Sequence, residues 1–250
     1  TTTADSGAGS LRFAVQCANT NPGYDELTFD LAGVQTITLT TGELLVTDHL
    51  TIAGPGSNVL TISGNDSSRI FHLQGNSLSF NLFGVTVVRG SATEGAGLFM
   101  DGDDNFVSLD DCAFSGNDAS GAGGAIRAHG PNQAGTLFIY TCTFTANTAG
   151  QNGGAIDSDD VVLNIDSSIF TDNSAAFSGG AVSIGDGSAS ISGSRFRGNQ
   201  AAVDGGAINS NFNASFNISF TDIIGNSAGG AGGGIFNVVN IAPGMTIENS

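Results

Sequence analysis

The chain has 250 residues, 40% of them hydrophobic, with 38 glycines against four prolines and a net charge of −17 from 23 acidic residues and six arginines. That apolar content is enough for a core, and glycine without proline excludes collagen and proline-rich linkers. The charge excludes nucleic acid and anionic membranes as partners, and no apolar run approaches the roughly 20 residues of a membrane-spanning helix.

In chain order, the first expected element is a helix in "GSLRFAVQCANTNPG". Ser10 can cap it, Leu11, Ala14, Val15 and Ala18 fall on one face, and "NPG" from Asn21 stops it. Residues 1–30 are read as a cap. Next come β-rich runs set off by glycine: "TITLT", "LLVTDHLTIAGPG", "NVLTISGN" and "RIFHL". They are read as the first rungs of a single domain whose rungs fill residues 31–250.

From Val87 onward the chain repeats. "FSGN" at Phe114, "FTAN" at Phe144, "FTDN" at Phe170 and "FRGN" at Phe196 are flanked by weaker copies, "VVRG" at Val87 and "IIGN" at Ile223, in steps of 27, 30, 26, 26 and 27 residues. Six residues after each Asn position comes a glycine element, "GGAI" at Gly123, Gly153 and Gly205, "GGAV" at Gly179, "GGGI" at Gly232 and, by the same spacing, "AGLF" at Ala96. A fixed period of this length marks a solenoid. Before each Phe lie apolar pairs at period two: Val107/Leu109, Leu137/Ile139, Leu163/Ile165, Ala189/Ile191 and Phe216/Ile218. Three short strands per repeat are expected, hence an all-β, right-handed, three-faced parallel β-helix of about nine rungs behind an amphipathic capping helix.

In a parallel in-register stack equivalent residues lie about 4.8 Å apart. Phe114, Phe144, Phe170 and Phe196 should then form an inner aromatic column, each burial worth about 2–3 kcal/mol. Asn117, Asn147, Asn173, Asn199 and Asn226 should form a ladder at a bend. The pairs Gly123 and Gly124, Gly153 and Gly154, Gly179 and Gly180, Gly205 and Gly206, and Gly232 and Gly233 should form a tight corner, each pair supplying positive φ and close packing. Cys112 and Cys142 share a column otherwise filled by Ser168, Ser194 and Thr221. Stacked neighbours point the same way, so two buried free thiols are expected rather than a disulfide. At the other end Ile247 falls in the column five before Phe, so the chain stops at Ser250 inside a rung, as a fragment or a processed chain would.

The "GGAI" and "FxxN" elements resemble the repeats of chlamydial polymorphic outer-membrane proteins and the wider set of bacterial surface proteins that share them. "DSGAGSLRFAVQCANTNPGYDELTFDL" resembles the Ser-Leu-Arg-Glu-Ala type of cap found before such β-helices, with Phe13 in place of the Glu. The resemblance implies a β-helix secreted or displayed on the cell surface, with adhesive roles. Its partner would be a host or neighbouring-cell surface protein or glycan.

For chemistry, no catalytic residue is assigned and the expected class is non-enzymatic. The alternatives are a carbohydrate-active β-helix enzyme, a polysaccharide lyase or hydrolase, and a subunit stacked end to end in a filament. A lyase or hydrolase needs grouped carboxylates or a basic proton abstractor. The best such group is Arg127 near Asp157 and Asp159; Asp157 lies one coil beyond Arg127 in a column that continues as Ser183, Asn209 and Phe236. His49, His72 and His129 share no ligand spacing. "DGDDN" offers Asp101, Asp103 and Asp104 to Ca²⁺ but lacks the distal Glu of an EF-hand; an exposed acidic loop is the ordinary reading, a calcium turn the other.

Overall fold

The computed structural model describes residues 2–130, 135–211, 214–238 and 246–248. A representative coil starts with strand Phe106–Asp110, turns into Ala113–Ser115, bends at Asn117 into the two-residue strand Asp118–Ala119, and passes the glycine corner into Ile126–His129. The next strand, Thr136–Tyr140, lies parallel to Phe106–Asp110, with Val107 opposite Leu137 and Leu109 opposite Ile139. About eight such turns build four parallel sheets, of nine, eight, eight and six strands among the described residues. Two residues of alternating direction suffice for a strand here, because each pairs with its own counterpart one coil away rather than with a chain neighbour.

The fourth sheet was not expected. It is the shortest, built on Ala92, Ala119, Ala149, Ala175, Ala201 and Ala228 in register. The register also corrects one alignment. Leu98, not Phe99, pairs with Ile126, so the corner glycine of that coil is Gly95, with φ 52°. Its loop is therefore one residue shorter than the six-residue spacing of the other copies.

The glycine corner needs a second correction. Positive φ belongs to the first glycine of each pair alone: Gly123, Gly153, Gly179, Gly205 and Gly232 have it. Gly124, Gly154, Gly180, Gly206 and Gly233 keep backbone conformations open to any residue. Close approach between coils is what demands glycine at four of these five. A Cβ on Gly124 would run into the carbonyl of Gly154, one on Gly154 into that of Gly180, one on Gly180 into that of Gly206, and one on Gly206 into that of Gly233. Gly233 itself is different. Among the described residues, a Cβ there would meet the Asn226 carbonyl at an ordinary 3.5 Å, so neither conformation nor crowding requires glycine at that position.

Phe114, Phe144, Phe170 and Phe196 stack inside the solenoid, each fully buried. Their centroids are 5.1, 4.7 and 4.6 Å apart and their planes within 6° of parallel. Beside them runs the asparagine ladder. The Asn173 Oδ1 accepts from the amide and the side chain of Asn147 at 3.0 and 2.9 Å, while its Nδ2 donates to the Phe144 carbonyl and to the Asn199 Oδ1 at 3.0 and 2.9 Å. The same set repeats at Asn147 and Asn199, and Asn226 closes the described run. A buried asparagine here saturates itself, the bend and both neighbouring coils, which is what burial of an amide requires.

A second polar column lies two residues before each Phe. Ser168 donates to the Asp166 carbonyl at 2.9 Å and accepts from the Cys142 amide at 3.1 Å; Ser194 and Thr221 repeat the pattern. Cys112 and Cys142 are free and buried in this column, and the Cys142 Sγ donates to the Tyr140 carbonyl. Its thiol is held well above the ordinary cysteine range, first by its hydrogen bond with Cys112 and then by burial.

Helix Leu11–Ala18 buries Leu11, Val15 and Ala18, and the Ser10 Oγ accepts from the Phe13 amide. Arg12 ties it to the solenoid: its guanidinium donates to Asp5 and to the carbonyls of Gly42 and Glu43. Asp5 in turn accepts from the amides and hydroxyls of both Thr40 and Thr41. Phe13, at the position where the cap signature has Glu, is half-exposed.

Candidate functional site

The expected Arg127 column forms as read. Arg127 pairs with Asp157, Asp157 with Ser183, Ser183 with Asn209 and Asn209 with Phe236, all pointing outward from one eight-stranded sheet. What the spacing alone did not convey is its burial. Outward residues on the nine-stranded sheet are exposed, as Ser190 and Asn217 are, or half-buried, as Ser108 and Asn164 are, whereas Asp157, Ser183 and Asn209 are 6%, 1% and 4% exposed. Corner residues Ala122, Gln151 and Asn152 rise on one side and Asp159, Gly185 and Asn211 on the other, leaving a polar cleft of about 160 Å³ over Arg127, Asp157 and Ser183.

Arg127 organises the cleft. One guanidinium nitrogen binds Asp157 and the other reaches Asp159 at 3.2 Å. Asp159 also lies 3.7 Å from His129. The Arg127 Nε is buried without a hydrogen-bond partner among the described residues.

Farther along the same face, Glu43 binds Arg69 at 2.6 Å and His72 at 2.9 Å. Its carboxyl is held below the ordinary glutamate range, chiefly by the His72 hydrogen bond, with the Arg69 charge assisting against burial. Phe99 stacks on His72 and lies under Arg69 at 5.0 Å. His72 and His129 thus stand on one sheet face although 57 residues apart in the chain. Helical or loop ligand spacing has no counterpart here, because a solenoid brings together residues one coil apart. His49 lies elsewhere, stacked on Tyr24 and accepting from the Ser79 amide at 3.0 Å.

Among the described residues, the three aspartates of "DGDDN" do not form a group close enough to share an ion. Asp101 extends the sheet strand, Gly102 and Asp104 have φ of 125° and 56°, and buried Asn105 holds the turn through Gly75, Gly102 and the Leu78 amide. Asn105, which the motif reading passed over, is the structural residue of this segment. Among the described residues, the His, Cys, Asp and Glu group near enough to share an ion is His129, Asp159 and Asp160. Asp159 in that group is already paired with Arg127.

These features define a repeat-built parallel β-solenoid with a polar cleft over a non-repeating column. Residues 111–129, 141–159 and 193–211 match the model of the Chlamydia polymorphic membrane protein repeat. Each matched segment runs from an outer corner through the Phe and Asn columns to the end of the strand that floors the cleft. The intervening coil, with Phe170, Asn173 and Gly179, keeps the same register. No curated protein matches the chain.

Proposed function

We propose that this chain is a non-enzymatic, extracellular structural and adhesive segment of a bacterial surface protein, a stiff rod that carries a binding face. The observation that carries the reading is the pairing of polymorphic membrane protein repeats with four parallel sheets that continue from coil to coil. Such a rod resists bending because each coil is bonded to the next along every face. Its repeated residues serve packing and backbone hydrogen bonds, and its non-repeating residues face outward, where a partner would meet them. The repeat family supports display at the outer surface of the cell.

The test is binding of the fluorescently labelled chain to intact bacterial and animal cells. Saturable binding, competed by unlabelled chain, is expected. Binding no greater than that of an unrelated acidic β-helix would overturn the adhesive reading, and depolymerisation of acidic polysaccharides by the pure chain would overturn the non-enzymatic one.

A further inference from the structure

We propose that the cleft over Arg127, Asp157 and Ser183 binds a neutral, hydroxyl-rich oligosaccharide lying along the solenoid axis. This rests on the adhesive reading and names its ligand class and site.

The cleft is built rather than incidental. Its floor consists of outward side chains withdrawn from solvent, on a solenoid whose outward residues on the nine-stranded sheet are exposed or half-buried. Ser183 is 1% exposed and lines the cleft, and its hydroxyl has no hydrogen-bond partner among the described residues. That leaves the hydroxyl able both to donate to and to accept from a ligand hydroxyl.

The lining selects the ligand. Arg127 and the Asn152 and Asn211 amides donate, the Asp157 and Asp159 carboxylates accept, and Ser183 does both. A sugar hydroxyl likewise donates and accepts, so it can satisfy either kind of neighbour. An anionic ligand would meet Glu94, Asp157 and Asp159 with Arg127 as the cation among the lining residues, and that cation is already paired. A metal ion would have to displace the guanidinium from both carboxylates. An extended peptide gains its affinity from a free strand edge, and the floor strands are already paired on both sides. An apolar ligand finds Ala122 as the one hydrophobic side chain of the lining. The floor presents one residue per coil at about 4.8 Å, close to the length of one hexose unit, so successive sugars would meet Arg127, Asp157 and Ser183 in turn.

The experiment is saturation-transfer NMR and calorimetry of the whole chain with cellotetraose, chitotetraose, mannotetraose and maltotetraose, and with tetragalacturonate as the anionic control. At least one neutral tetrasaccharide should bind, and tetragalacturonate should not. Ser183→Phe, which places in this column the residue type of Phe99 and Phe236, should abolish binding while circular dichroism stays unchanged. Ser183→Ala, which removes the hydroxyl and little else, should weaken binding about five- to tenfold. Silence from every neutral sugar, preference for tetragalacturonate, or an undiminished affinity in Ser183→Ala would overturn the proposal. Cell binding that survives in Ser183→Phe would also overturn it while leaving the adhesive reading intact; loss of all cell binding by the unmodified chain would remove that reading itself.

Discussion

The Phe–Asn face and the cleft face are made by the same coils, yet one keeps its residues over four successive rungs and the other changes them on every rung. Along the first, the column reads Phe114, Phe144, Phe170, Phe196; along the second it reads Phe99, Arg127, Asp157, Ser183, Asn209, Phe236. The difference is the identity of the neighbour. A ladder residue has its own counterpart above and below, so each rung imposes its chemistry on the next. An outward residue meets a neighbour one coil away that need not be of its own kind, as Arg127 meets Asp157.

The corners show the same rule in miniature. Gly123, Gly153, Gly179, Gly205 and Gly232 have φ of 64° to 70°, and a Cβ on Gly153 would lie 2.2 Å from the Ile156 carbonyl oxygen. Crowding alone acts on Gly124, Gly154, Gly180 and Gly206: a Cβ on Gly154 would lie 2.1 Å from the carbonyl of Gly180, one coil on. The corner after Phe takes the same left-handed conformation at Arg89, Gly116, Ala146, Asp172, Gly198 and Gly225, but a Cβ on Gly116 meets nothing within 4 Å. Crowding, and not the sign of φ, makes one corner a glycine signature and leaves the other free to vary.

The contrast breaks most sharply at the ladder. Asn173→Leu should cost about 3–5 kcal/mol, because it orphans the Asn147 amide, its side chain and the Phe144 carbonyl at once. Urea unfolding reads it, and a loss under about 1 kcal/mol would mean that the column is held by packing alone. Next come the two corners. Gly154→Ala should cost about 2–4 kcal/mol through backbone displacement, against about 1 kcal/mol for Gly116→Ala, whose strain is that of a left-handed alanine. Ala146 already occupies the Gly116 column at φ 52°; equal costs at the two sites would refute the crowding argument. On the cleft face, Asp157→Asn should cost about 1–2 kcal/mol, since it leaves Arg127 with Asp159 alone in a site that still opens to water.

How much of this was legible before the fold follows from the same contrast. Parallel in-register stacking turns sequence period into spatial adjacency, so the Phe, Asn and glycine columns and even the order Arg127, Asp157, Ser183, Asn209, Phe236 could be read by counting. Counting failed where a loop changed length, as at Gly95. It also failed where the element carried no distinctive residue, as in the two-residue strands ending in alanine. A glycine pair shows that a corner is tight but not which member bends and which is crowded, so the separate roles of Gly123 and Gly124 emerged from the backbone alone. The depth of the cleft was hidden because it depends on how far the corner residues Gln151 and Asn152 rise beside the sheet, which no spacing encodes. "DGDDN" suits an ion by composition, whereas its backbone is that of a turn secured by Asn105.

The smallest expected effect lies at the cap, where no repeat operates and a single carboxylate replaces a ladder. Burial alone would raise the pKa of Asp5, yet the Thr41 hydroxyl, the Thr40 amide and Arg12 together lower it to about 2 from an ordinary 3.8. A carboxyl depressed in the folded state stabilises fully above its unfolded pKa, and that contribution fades as pH falls through the folded value. The cap should therefore loosen between about pH 4 and pH 2, seen as faster amide exchange at Thr40 and Thr41 while the Asn147 and Asn173 amides stay protected. Asp5→Asn should show the loosened cap at neutral pH and lose most of this acid dependence. If Thr40 and Asn173 lost protection together, the cap and the ladder would unfold as one unit, and the separation between the repeating and non-repeating parts of the molecule would not extend to its stability.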